Sequence, residues 1–203
     1  MIDEQKIQIL ANFIKIKTVN DNEAQLADYI SELFSPYQPK VEIERLSFAP
    51  GRDNLVVTMG PKDKPILGLS GHMDVVAIGD ESDWNSDPFT ATIKDGCLYG
   101  RGAADMKSGL AALVVAMLEL LEQDQVDNLP VQLRLLASVG EETGEYGAAQ
   151  LTKAGYADDL VGLIIAEPTD NLTKIVYTGK GVIDYKVTSS GKSVHSSTPE
   201  LGI

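Results

Sequence analysis

Ile66-Leu67-Gly68-Leu69-Ser70-Gly71-His72-Met73-Asp74-Val75-Val76 runs from an aliphatic segment into a histidine and an aspartate two residues apart. A short apolar run of this kind reads as a strand, and strand periodicity sends the His72 and Asp74 side chains to the same side. An aspartate there can orient the imidazole by accepting its other ring proton, as carboxylates do for metal-bound histidines. His-x-Asp alone fits a satisfied structural histidine better than a functional one, so the neighbouring segments must decide.

Working outward, runs of the same character fall at Val41 to Leu46, Asn54 to Met59, Val131 to Val139 and Leu160 to Ala166, the last two reading as buried strands. Helical spacing of Ile7, Leu10, Ala11 and Ile14 predicts a helix over 3–17 with Asp3 as its cap. Further helices are expected over 22–34, 106–123 and 145–154. The stretch from Trp84 to Gly102 is rich in Asp, Gly and Pro and reads as loop. Strands alternating with helices predict an α/β fold, a mostly parallel sheet flanked by helices. After Glu167-Pro168-Thr169 the pattern turns to strand-like runs at Thr173 to Thr178 and Val182 to Thr188. A boundary near Gly179 is therefore expected, dividing a domain over 1–178 from the start of a second over 179–203.

Three further elements place acids where an α/β sheet builds sites. Tyr99-Gly100-Arg101-Gly102-Ala103-Ala104-Asp105-Met106-Lys107 brings Asp105 to the start of an apolar helix, where a cap is the plain reading. Val139-Gly140-Glu141-Glu142 and Ile165-Ala166-Glu167-Pro168 put carboxylates directly after strands. Three strand ends carrying candidate ligands at one sheet edge meet in space although distant in sequence. One histidine with several carboxylates suits a divalent ion, and a shared carboxylate can hold two.

Composition excludes other classes. Thirty acidic residues against seventeen basic ones, scattered along 203 residues, give a net charge of −13 and leave no basic face for nucleic acid. The most apolar stretch, Leu110 to Leu121, is too short to span a bilayer and contains a Glu, so no membrane association is expected. A single cysteine, Cys97, and an N-terminus without a signal-like pattern predict a cytoplasmic protein.

Together, Gly71-His72-Met73-Asp74-Val75-Val76, Gly100-Arg101-Gly102-Ala103-Ala104-Asp105-Met106-Lys107, Gly140-Glu141-Glu142 and Ala166-Glu167-Pro168-Thr169 resemble the zinc amidohydrolase family of acetylornithine deacetylase, succinyl-diaminopimelate desuccinylase, aminoacylase and carboxypeptidase G. The resemblance implies two Zn²⁺, with Co²⁺ able to substitute: His72 and Glu167 on one ion, Glu142 on the other, and Asp105 bridging them by a carboxylate that precedes a cis peptide. It implies Asp74 as the partner of His72 and Glu141 as the base that takes a proton from the attacking water. His195, in Ser193-Val194-His195-Ser196-Ser197, matches a lid-domain histidine that stabilises the oxyanion in a partner subunit. The implied substrate is a small N-acyl amino acid, with succinyl-diaminopimelate first and acetylornithine or a dipeptide next, and the implied assembly is a homodimer. The family also carries a zinc-binding histidine near its C-terminus, whereas this chain has only His72 and His195. It therefore reads as C-terminally truncated, with one metal site weakened and activity low, or as a remnant that only binds.

Overall fold

The computed structural model describes residues 1–169, 187–188 and 190–202. The residues group into two compact units, Met1–Pro168 and Thr169–Ile203, each described by itself. The expected strand at 173–178 and the expected boundary near Gly179 lie outside the described residues, as does most of the expected strand at 182–188.

In the first unit the order is α1 (Asp3–Lys15), α2 (Glu23–Phe34), β1 (Val41–Ala49), β2 (Arg52–Met59), β3 (Ile66–His72), β4 (Thr92–Lys94), β5 (Cys97–Tyr99), α3 (Lys107–Glu122), β6 (Gln132–Ser138), α4 (Tyr146–Lys153) and β7 (Leu160–Ile165). Five strands form one mixed sheet in the order β1-β2-β6-β3-β7. β3 pairs in parallel with both β6 and β7, while β1–β2 and β2–β6 are antiparallel. The parallel half is the half that carries the candidate ligands.

Alternation along the strands builds three layers. Leu55, Val57 and Met59 of β2, with Leu133, Leu135 and Ala137 of β6, face α1, α2 and α3 in the main core, where Phe13, Phe34 and Leu110 are fully buried. Val56 and Leu136 point to the other face and meet Leu151 of α4. The β3–α3–β6 and β6–α4–β7 connections thus lie on opposite faces. Such a reversal opens a crevice at the carboxyl ends of the strands, the usual ligand position in α/β sheets.

Four expectations need correction. α1 is capped by Ile2, whose N–H donates to Gln5 Oε1 at 3.0 Å, and Asp3 is instead an acid of the first turn, favourable to the helix dipole. Residues 92–99 are not all loop: β4 and β5 form a hairpin about Asp95-Gly96, whose positive φ values of 52° and 77° suit a tight two-residue turn. Asp105 does not cap α3, since Met106 occupies that position without a side-chain cap. Finally, β7 is not buried: it is an edge strand with β3 as its paired neighbour among the described residues, and Val161 (66%), Leu163, Ile164 and Ile165 are exposed. No helix of the described residues is long and apolar enough to cross a membrane.

Candidate metal centre

Parallel register brings the strand ends level. His72 pairs with Ser138 across β3 and β6, Ser70 pairs with Ile165 across β3 and β7, and Ala166 N–H donates to Ser70 O at 3.0 Å. His72, Glu141 and Glu167 thereby line one cleft of about 300 Å³ together with Ser70, Ser138 and Glu145.

His72 is held from behind. Its side chain is 2% exposed, and Nδ1 lies 2.9 Å from the Asp74 carbonyl oxygen and 3.5 Å from Asp74 Oδ1, so Nδ1–H donates to the carbonyl with the carboxylate alongside. That tautomer leaves Nε2 with a free lone pair facing outward. Around Nε2 stand Asp105 Oδ1 at 3.2 Å, Glu167 Oε2 at 3.7 Å and Glu141 Oε2 at 3.9 Å. A lone pair cannot donate to three carboxylates, so the arrangement calls for a proton on Nε2 or a cation among these groups.

The buried Asp74 carboxylate has a second task. Its Oδ1 and Oδ2 accept the backbone N–H groups of Glu141 and Glu142, each at 3.1 Å, and so fix the short 3₁₀ turn 141–143 that follows β6. Burial pushes the Asp74 pKa up, but His72 and these two amides outweigh it and hold the carboxyl below its ordinary range. Asn54 secures the strand just before the turn: its Oδ1 accepts from Val139 N–H at 3.0 Å, and its Nδ2 donates to Gln150 Oε1 at 2.7 Å.

Asp105 stands at the end of the long β3–α3 connection, and its peptide bond to Met106 is cis, as the family resemblance implies. The next two residues anchor it: Met106 Sδ lies 3.1 Å from His72 N, and Lys107, fully buried, donates from Nζ to Phe13 O and Ile16 O, each at 2.8 Å. Those carbonyls are among the acceptors left open where α1 ends, so the ammonium ties the metal-side loop to α1. Burial lowers the Lys107 pKa to about 7, with Asp74 opposing. Gly109 permits the approach of the last acid, since a Cβ there would sit 2.0 Å from Ala166 O, next to Glu167.

The donor set suits a cation. His72, Asp105 and Glu167 place one ligand atom each within 4.8 Å of one another, and so do His72, Glu141 and Glu142. One imidazole nitrogen with carboxylate oxygens is chemistry for a divalent ion of zinc type. Without a cation the negative charges strain one another. Burial lowers the His72 pKa, yet Asp74, Glu167 and Glu141 overcome that and raise it to about 9. Burial together with Asp105 lifts Glu167 to about 7, and burial lifts Glu141 and Glu142 as well.

His72, Asp74, Asp105, Glu141, Glu142 and Glu167 therefore gather at one sheet edge of the first unit. His195 belongs to the second unit, where it is exposed, and its Nδ1 accepts from Ser197 N–H at 3.2 Å, leaving Nε2 to carry a proton outward. Sequence reading missed Lys107 and Asn54. Lys107 stands between Met106 and Ser108 and Asn54 between Asp53 and Leu55, so no local pattern marks either.

The sequence pattern of peptidase family M20/M25/M40 matches residues 68–202. A protein of Staphylococcus epidermidis named probable succinyl-diaminopimelate desuccinylase is 46% identical over 200 residues, covering 98% of this chain and 48% of the relative. The chain thus spans about half the length of the curated relatives it matches. Among solved structures, an M20 family metallo-carboxypeptidase from Sulfolobus solfataricus aligns with a TM-score of 0.69 at 24% identity over 82% of this chain and 37% of its own. A dinuclear metal binding peptidase of the M20 family from Bacillus subtilis gives 0.59 at 16% identity, over 80% and 42%. The solved structures show the α/β fold, and the matched pattern over more than half of the chain settles the family: the chain belongs to peptidase family M20/M25/M40.

Proposed function

We propose that the site hydrolyses an amide bond in a small N-acyl amino acid, N-succinyl-diaminopimelate first among them, with two zinc ions held by His72, Asp105, Glu142 and Glu167. The single observation that carries the reading is His72 Nε2, a buried and oriented ring nitrogen with the carboxylates of Asp105, Glu141 and Glu167 gathered around it. The substrate choice is supported by the identity to the S. epidermidis protein. Cobalt in place of zinc, a homodimer, a cytoplasmic setting and a lid beginning near residue 179 complete the proposal.

The zinc pair, when bound, supplies polarisation of the amide carbonyl and acidification of the attacking water. The protein's own groups do the rest. Asp74 keeps the imidazole of His72 in register and holds the turn that carries Glu141 and Glu142. Glu141, raised above the ordinary carboxylate range by burial, takes the proton of the attacking water and delivers it to the leaving nitrogen. His195, by the family resemblance, would stabilise the oxygen charge that develops on the carbonyl in a partner subunit's site.

The test pairs a metal readout with a substrate panel on the zinc-loaded chain: N-succinyl-diaminopimelate, N-acetylornithine and a dipeptide. The expected result is slow zinc-dependent release of succinate ahead of acetate or amino acid, slow because one metal site lacks a histidine, and falling about 10²-fold or more in Glu141→Gln. Zinc bound firmly with none of the three amides cleaved would make the site a binding module and overturn the hydrolase reading.

A further inference from the structure

Beside the metal centre lies an ion pair that the chemistry above does not use. Glu23, the first residue of α2, is fully buried, and Arg52, the first residue of β2, covers it. Arg52 Nε contacts Glu23 Oε1 at 3.1 Å and Oε2 at 2.9 Å, and Nη2 closes a further bond to Oε1. Such a fork is an orienting contact, because the planar guanidinium can take few directions once bound this way.

The fork sets its own Nη2 against the catalytic turn. Gly140, which opens that turn at φ +68°, faces Arg52 so closely that a Cβ on it would lie 3.2 Å from Nη2. Asp74 grips the next two amides, so the turn is held at Glu141 and Glu142 by that carboxylate and touched at Gly140 by the guanidinium.

We infer that the Glu23–Arg52 pair is a positioning device for the Gly140–Glu142 turn: the guanidinium, fixed by its fork to Glu23, packs against Gly140 and holds the start of the turn, so that the Glu141 and Glu142 amides stay in place on Asp74. A pair that only tied α2 to β2 would have no reason to reach Gly140. The inference rests on the reading of Glu141 as base and Glu142 as ligand.

The decisive comparison uses three forms of the 203-residue chain: wild type, Arg52→Lys, and the double variant Glu23→Leu with Arg52→Met. The double variant replaces the pair by apolar groups of similar volume, which leaves no unpaired buried charge and keeps the fold testable. Two readouts are taken, amide hydrogen exchange of the metal-free chain and Zn²⁺ affinity. In the double variant the Glu141 and Glu142 amides are expected to exchange about tenfold faster or more, while β6 amides at Leu133 to Ala137 stay protected. Zinc binding is expected to weaken by about 10- to 100-fold, the range for lost outer support of a metal site. Arg52→Lys, which keeps a charge but cannot form the fork, is expected to lose most of both the amide protection and the zinc affinity, and wild-type values in it would overturn the inference. Unchanged amides at 141 and 142 in a folded double variant would overturn the inference, as would uniform loss of protection across β6. Failure of the wild type to bind zinc would instead count against the proposed function, and the metal-free exchange experiment would still decide the role of the pair.

Discussion

The two halves of the candidate site are built to different standards of rigidity. His72 and Asp74 are 2% and 0% exposed and sit at the end of a strand paired on both sides. Asp105, Glu141 and Glu167, the carboxylates facing Nε2, are 55%, 44% and 40% exposed and stand on loops or strand ends. The imidazole is oriented before any cation arrives, whereas the carboxylates are gathered by local anchors and repel one another until one does. A fixed soft corner and an adaptable ring of acids fit a site that must hold an ion and still admit a substrate.

Removing the fixed corner should have the largest effect. His72→Ala is expected to lower Zn²⁺ affinity by about a hundredfold or more, read by isothermal titration, since even outer partners of a ligand are worth about 10- to 100-fold. Asp74→Asn, which leaves the imidazole in place but weakens its orientation and the grip on the 141–143 turn, should fall within that range. An affinity unchanged in Asp74→Asn would show that the contrast between a locked imidazole and mobile acids has no energetic content.

Gly109→Ala probes the adaptable side. The added methyl cannot share space with Ala166 O, so β7 must withdraw and take Glu167 with it. Overpacking of this kind costs about 1–3 kcal/mol, and the measurements are thermal unfolding together with Zn²⁺ affinity. Full wild-type affinity in a destabilised variant would detach Glu167 from the site.

The smallest expected change lies away from the cleft. Arg134 Nη1 binds Asp159 Oδ1 at 2.6 Å, and that bond holds the Asp159 carboxyl below its ordinary range. A depressed carboxyl contributes stability above its unfolded pKa and loses it as pH falls through the folded value. The unfolding temperature should therefore drop on acidification below about pH 4. Arg134→Met should flatten that acid limb by no more than about 1–2 °C, because Asp159 is largely in solvent, and should leave zinc binding untouched. A change in zinc affinity here would mean that the two regions are not separable.

The contrast also separates what was legible in the sequence from what was not. That His72, Asp105, Glu141, Glu142 and Glu167 meet was readable because they lie beside apolar runs and strand ends of an α/β sheet converge, whereas the choice of ligands among them came from the family resemblance. Burial of β7 was misread because an apolar run looks the same at the centre of a sheet as at its edge. The β4–β5 hairpin was passed over inside a stretch rich in loop residues, although Asp95-Gly96 is a hairpin signal. The anchors of the site were illegible for a different reason. Lys107 reaches back to Phe13, Asn54 forward to Val139 and Arg52 to Glu23, and no local pattern records a partner that far along the chain.

The central claim is that His72 Nε2 and its surrounding carboxylates hold a divalent cation. Cobalt titration of the metal-free chain, followed by visible absorption in parallel with His72→Ala, addresses it most directly. The account predicts saturable Co²⁺ uptake with d–d bands that disappear in His72→Ala and are displaced by Zn²⁺. A wild-type chain that takes up no cobalt, or a His72→Ala chain that binds it equally well with the same spectrum, would contradict it.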